Sequence, residues 1–288
     1  MQWDGIRRVI WAKNFDEMEI IGTQHFSVAV PIKADPEFKA MIMAAGITHS
    51  AGNISIDYTL KRYRDEFLER FDSSRTCPPG CIKELLLIIR GHAVELAGNL
   101  SAIDTPPNPK PGLVAAMNAL IRLQSTFHAT VQLIVNGLSI EAEAVIRQGL
   151  EQVAWSLSVM DESSHDCVKN TKANASIPSL KRLFPGSGVI YGLLSDSAHL
   201  APRTHGRFVT LTEDKITITI RDPNDCAAPA FFLLLLLDAY SCVTQTLLNS
   251  CGSAELPGIE CSSLIEKYKT VLPENTENLY KKWRLKST

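Results

Sequence analysis

A chain of 288 residues with 45% hydrophobic residues is long enough to bury a sizeable core without disulfide or metal staples. Its formal net charge of −2 excludes a bulk electrostatic case for wrapping long nucleic acid, so any such contact has to be a local patch. The seven cysteines are odd in number and sit mostly in apolar helical surroundings, which suits a reducing cytoplasm better than a secreted disulfide framework.

No uninterrupted apolar run follows Arg7 and Arg8, so no signal peptide is expected. Residues 26–32 read as a strand, and Pro31 restricts it to an edge. Asp35 and Pro36 form a helix start, a capping side chain followed by proline in the first turn, and that helix is expected to run to Gly46. A charged helix follows over about 56–71, and residues 73–80 are a turn-rich boundary. Residues 1–75 are therefore expected to form a small N-terminal appendage, and residues 76–288 the main domain.

The main domain reads as dominantly helical. Helices are expected over 81–101, 113–136 and 139 to about 160, the last with Ser139 as N-cap and an apolar arc of Ile146, Leu150, Val153, Ala154, Leu157 and Met160. Residues 161–188 look irregular, and 188–200 hold another short helix. Over 207–222 the period changes, because Ile216, Ile218 and Ile220 alternate with Thr217 and Thr219. This predicts an inserted β-hairpin that turns at Glu213 and Asp214. The apolar run 227–237 is bounded by Pro229 and Asp238 and is too short to span a bilayer, so it reads as core within a helix near 227–249, with no membrane association. A last helix is expected over 262–283. The fold class expected is mainly α, an antiparallel helical bundle with an inserted β-hairpin and the N-terminal appendage.

The densest chemistry lies between Tyr191 and Arg207. Tyr191, Ser195 and His199 are four residues apart, and Asp196 is three before His199, within reach of its ring. Pro202 disfavours helix at Ala201, which puts His199 in the last turn, where carbonyl ends and Asp196 both favour the imidazolium. Arg203, His205 and Arg207 follow in a short loop able to grip a phosphate. Two readings fit these residue types: a proton-transfer site, or a histidine capping backbone carbonyls beside arginines paired on the surface. On the preceding helix, Glu143, Arg147 and Glu151 follow at four-residue steps, which on spacing alone is a solvated salt-bridge row.

Ile146, Arg147, Leu150 and Glu151, followed by Tyr191, Leu194, Ser195, His199, Pro202 and Arg203, resemble a large bacterial family of helical proteins grouped with the HEPN-like bundles (higher eukaryotes and prokaryotes nucleotide-binding). The resemblance covers about residues 113–208. It implies a bundle in which Arg147 and Glu151 of one helix face His199 of another. It also implies a cytoplasmic protein of toxin or antiviral defence systems, acting on RNA or a nucleotide, as a homodimer or with a partner protein. Many such proteins are metal-independent ribonucleases. In that mechanism His199 would be the acid/base, with Arg147 and Glu151 beside it in the catalytic set and Arg147 or Arg203 stabilising phosphate charge. Tyr191, Asp196, Arg203, His205 and Arg207 would hold substrate.

Active members carry arginine, four to six residues, then histidine. Before His199 those positions hold Gly192, Leu193 and Leu194, whereas Arg122 and His128 satisfy the spacing on two different helix faces. The alternative is accordingly a non-catalytic helical module that binds a partner protein or nucleic acid. Cys77 and Cys81 read as a turn with two thiols, since no second Cys/His pair follows at finger spacing. Asp196, His199 and His205 could otherwise supply three metal ligands. Trp155 reads as packing. No P-loop, dinucleotide fingerprint, nucleophile elbow or HExxH pattern occurs, and neither a cofactor nor a metal is expected.

Overall fold

The structure, a computed structural model, describes residues 18–23, 26–31, 33–71, 80–103, 107–199, 201–212, 215–218, 222, 224–252 and 260–284. The chain divides into two units, Met1–Cys77 and Pro78–Thr288.

In the first unit, β1 (Met18–Thr23) pairs antiparallel with β2 (Phe26–Pro31), placing Glu19 opposite Val30 and Ile21 opposite Val28. Asp35 then caps α1 (Pro36–Ala51) by accepting the Glu37 N–H at 2.9 Å. The helix runs through Gly46, which is buried, and stops at Gly52, whose φ of 73° supplies the left-handed cap. Packing therefore overrides the weak helix propensity of Gly46, where the sequence predicts the end. Helix α2 (Ile56–Phe71) completes the unit, and Ile21, Val30, Ala40, Met43, Ala44 and Phe67 form its own small core.

The second unit is built from α3 (Gly80–Ser101), α4 (Pro111–Val135) and α5 (Ser139–Val159). Two short helices, α6 (His165–Asn170) and α7 (Ile177–Leu180), lead to α8 (Ser187–Ala198). The chain closes with α9 (Ala227–Ser250), α10 (Cys261–Tyr268) and α11 (Thr276–Arg284). Pro111 opens α4, and Gly112 donates its N–H to Glu162 O at 3.0 Å. A side chain at Gly112 would place its Cβ 1.8 Å from Val159 O, so only glycine lets the start of α4 lie against the end of α5. Gly137, at φ 71°, turns α4 directly into α5, which makes the two antiparallel. Ser139 is not the cap that the sequence predicts: it stands inside α5 and donates its hydroxyl to Asp225 O.

Helix α9 runs through the core against α3, α4 and α5. Its 24 residues extend well past the run 227–237, so by length and composition it could cross a bilayer, and 78% of its apolar window is buried inside the molecule. Leu233 to Leu237 are fully buried. Asp238 follows them into the core, where its carboxylate accepts from Trp283 Nε1 at 2.9 Å and pairs with Arg284. Burial pushes this carboxyl above its ordinary value, and both partners oppose that shift.

The expected fold class requires correction in its β component. The chain is mainly helical, and no architectural β-hairpin spans 207–222. Arg207 belongs to a 3-10 turn, Pro202–Arg207. Pairing is confined to four-residue strands, β3 (Val209–Thr212) and β4 (Lys215–Ile218), with no third strand on them among the described residues. Two paired strands of four residues are marginal by themselves and do not make a layer of the fold. Glu213, Asp214 and Ile220 lie outside the described residues. The other ladder, β1 with β2, lies in the N-terminal unit, where the sequence shows only an edge strand.

Candidate functional site

Helix α8 lays Ser187, Ile190, Leu194 and Ser197 against the bundle, a 3-4-3 spacing that makes one buried stripe. Tyr191 is one residue on from Ile190 and so flanks this stripe, facing α5. Its hydroxyl donates to Glu151 Oε1 at 2.6 Å and accepts from Arg147 Nη2 at 2.7 Å. Arg147 also pairs with Glu151 at 3.0 Å, and its guanidinium lies 5.0 Å from the centre of the Tyr191 ring. Burial and the Glu151 hydrogen bond raise the Tyr191 phenol above its ordinary value, and Arg147 works against them. The phenol therefore stays protonated at neutral pH and acts as a fixed donor.

One turn before Arg147 in α5, Glu143 is about as buried as a core leucine, at 1% exposure. Its Oε2 accepts from the Ser197 hydroxyl and from Arg207 Nη1, the latter at 2.8 Å. Arg207 also reaches Asp225 Oδ2 through Nη2 at 2.7 Å and Nε at 3.1 Å. Burial alone would lower the Arg207 pKa, but the hydrogen bonds and charges of Glu143 and Asp225 outweigh it and raise the value. Arg207 is thus a structural clamp that ties the 3-10 turn to α5 and to the start of α9. The Glu143–Arg147–Glu151 row is consequently buried to half-buried, and not the solvated salt-bridge row that spacing alone suggests. The apolar arc Ile146, Leu150, Val153 continues backwards through Glu143 at the same 3-4 spacing, and that extension is the sequence signal for its burial.

His199 stands apart from Arg147 and Glu151. It is the C-cap of α8, its N–H donates to Ser195 O at 3.0 Å, and its side chain is exposed. No described residue hydrogen-bonds to or ion-pairs with its imidazole. Helix geometry accounts for this. His199 lies roughly 180° around α8 from Ile190 and about 12 Å along the axis from Tyr191. The antiparallel pairing of Tyr191 with Arg147 and Glu151, and of Ser197 with Glu143, carries His199 beyond Glu143 on the outer side. A four-residue step overshoots a turn by about 40°, so two such steps from Tyr191 leave the shared face.

Asp196 is half-buried, and its carbonyl accepts the Ala201 N–H at 2.8 Å. Arg203 and His205 stand in the 3-10 turn, and their side chains lie outside the described residues, as does Cys77. Among the described residues no three His, Cys, Asp or Glu side chains gather as a metal site.

On the side of α5 toward α4, Glu151 lines a groove of about 480 Å³ that sequence reasoning misses. Arg122 and Trp155 also line it; the Trp155 indole N–H donates to Thr171 O at 2.9 Å.

Two substitutions separate these roles. Tyr191→Phe is expected to cost about 1 kcal/mol, because Arg147 and Glu151 keep each other but lose the hydroxyl between them. Thermal unfolding should fall by about 2–4 °C. His199→Ala should change stability by less than about 0.5 kcal/mol, because the cap contact is made by a backbone N–H that alanine keeps and the side chain is exposed.

Comparison with protein-family models, with curated proteins and with solved structures returns no match for this chain.

Proposed function

We propose that the second unit is a HEPN-like, non-catalytic helical module that binds RNA or a nucleotide without cleaving it, in the cytoplasmic setting of bacterial toxin or antiviral defence. The observation that carries this reading is the closed triangle of Arg147, Tyr191 and Glu151. The groups expected to serve His199 are spent on each other, and the imidazole lies outside their reach. A general base must come within hydrogen-bonding distance of the proton it takes, with a charge-stabilising group beside it. Exposed His199 has no such neighbour among the described residues. The binding half of the proposal is supported by the groove beside Glu151, which is lined by a guanidinium, a carboxylate and an indole.

Fluorescence anisotropy of a short labelled single-stranded RNA with the full chain tests this reading. Saturable binding is expected that weakens with salt and changes by less than about twofold in H199A. Lack of binding at any salt concentration would overturn the proposal.

A further inference from the structure

We infer that the groove between α4 and α5 is a guanine-nucleotide site, with Glu151 reading the base and Arg122 holding the phosphate; this rests on the nucleotide-binding reading above. The two helices line it at matched spacing. Ala115, Ala119 and Arg122 of α4 face Gln148, Glu151 and Trp155 of α5, each set running from its first to its last member over a step of seven residues. Gln152 Nε2 donates to Ala119 O at 2.6 Å and fixes the two helices in register. Because the helices are antiparallel, Ala115 lies level with Trp155, and Arg122 with Gln148.

The alanines leave room where larger side chains would close the gap. The volume of about 480 Å³ lies within the range of about 300–1,000 Å³ typical of small-molecule sites. Trp155 forms a wall at one end, with its indole N–H committed to Thr171 O, so its orientation is fixed. Arg122 is exposed at the other end, beside Gln148. Seven residues of helix separate those ends, about 10 Å, a span suited to a base and its own 5′-phosphate. The ligand class follows from Glu151. Its Oε1 is taken by Tyr191 and Arg147, and its Oε2 receives no hydrogen bond from a described residue. An ionised carboxylate only accepts. Guanine presents two adjacent N–H donors, N1–H and the exocyclic amine. Uracil flanks its single N–H with carbonyls that a carboxylate repels, and adenine and cytosine set a ring acceptor beside the amine. The Arg147–Tyr191–Glu151 triangle thereby acquires a purpose: it holds the reading carboxylate in place.

Isothermal titration of the full chain with GMP, UMP and guanosine tests the site. GMP is expected to bind at least about tenfold tighter than UMP. Arg122→Ala should weaken GMP by about tenfold and leave guanosine within about twofold. Ala119→Leu, which fills the floor, should abolish GMP binding. Arg122 is exposed, so its variant folds whether or not the groove variant does. Equal affinity for GMP and UMP, or GMP binding indifferent to Arg122→Ala, overturns the site. RNA binding that survives in a folded Ala119→Leu protein overturns the groove and leaves the module reading standing. A chain that binds neither nucleotides nor RNA overturns both.

Discussion

Glu143→Ala is expected to destabilise the second unit by about 3 kcal/mol, the lower end of the range for removing one partner of a buried ion pair. Glu143 is 1% exposed and holds Ser197 and Arg207 at once. Its loss strands the Ser197 hydroxyl and takes one of two carboxylates from Arg207, which keeps Asp225. That retained partner keeps the cost from rising further. Glu143→Gln preserves shape and one acceptor, so about half the loss should return. Urea denaturation read by circular dichroism measures both. If Glu143→Ala unfolds within about 0.5 kcal/mol of the native sequence, the clamp does not hold α8 on α5.

Trp283→Ala is expected to cost about 3–5 kcal/mol, as for other fully buried aromatic truncations. Trp283 is fully buried and stacks on Phe184 with ring centres 4.5 Å apart. Gly186 lies so close beneath it that a Cβ there would sit 2.5 Å from Lys282 O, which leaves little freedom for the cavity to collapse. The variant also removes a hydrogen bond from the Asp238 carboxylate. This makes the loss depend on pH. The Asp238 carboxyl is already raised by burial, and without Trp283 it rises further. A carboxyl with a raised native pKa binds its proton more tightly folded than unfolded. Its contribution to stability is therefore present at low pH and lost as pH rises through the native value. The gap between Trp283→Ala and the native chain should accordingly narrow as the pH falls from neutrality toward the ordinary carboxylate range. A gap that widens on acidification would show that Asp238 is not the group left behind.

Much of the helical content is legible along the chain, because the punctuation is chemical. Asp35 with Pro36 marks the start of α1, and the expected bounds 81–101, 113–136 and 139 to about 160 fall within two residues of α3, α4 and α5. The same reading places the end of α1 at Gly46, because propensity cannot report that the helix packs on β1 and α2. It extends the β-alternation of Ile216 and Ile218 into a hairpin over 207–222, because period-2 patterning says nothing about how many residues find partners. The site divides on the same principle. Arg147, Glu151 and Tyr191 come together, in line with the order of residues along the chain. His199 does not join them, since its placement depends on which stripe of α8 faces inward, and the choice of Ser187, Ile190, Leu194 and Ser197 is set by the bundle. The groove at Arg122 and Trp155 is a property of two helices side by side. Neither helix shows it alone, and Trp155 taken singly reads as packing.

The central proposal, that the chain holds RNA without cleaving it at His199, is tested most directly by one assay. A 5′-labelled single-stranded RNA is incubated with the purified full chain in chelator and resolved on a denaturing gel, for the native sequence and for H199A. The account predicts full-length RNA in both lanes at protein concentrations that saturate binding. Fragments produced by the native chain and absent with H199A would contradict it.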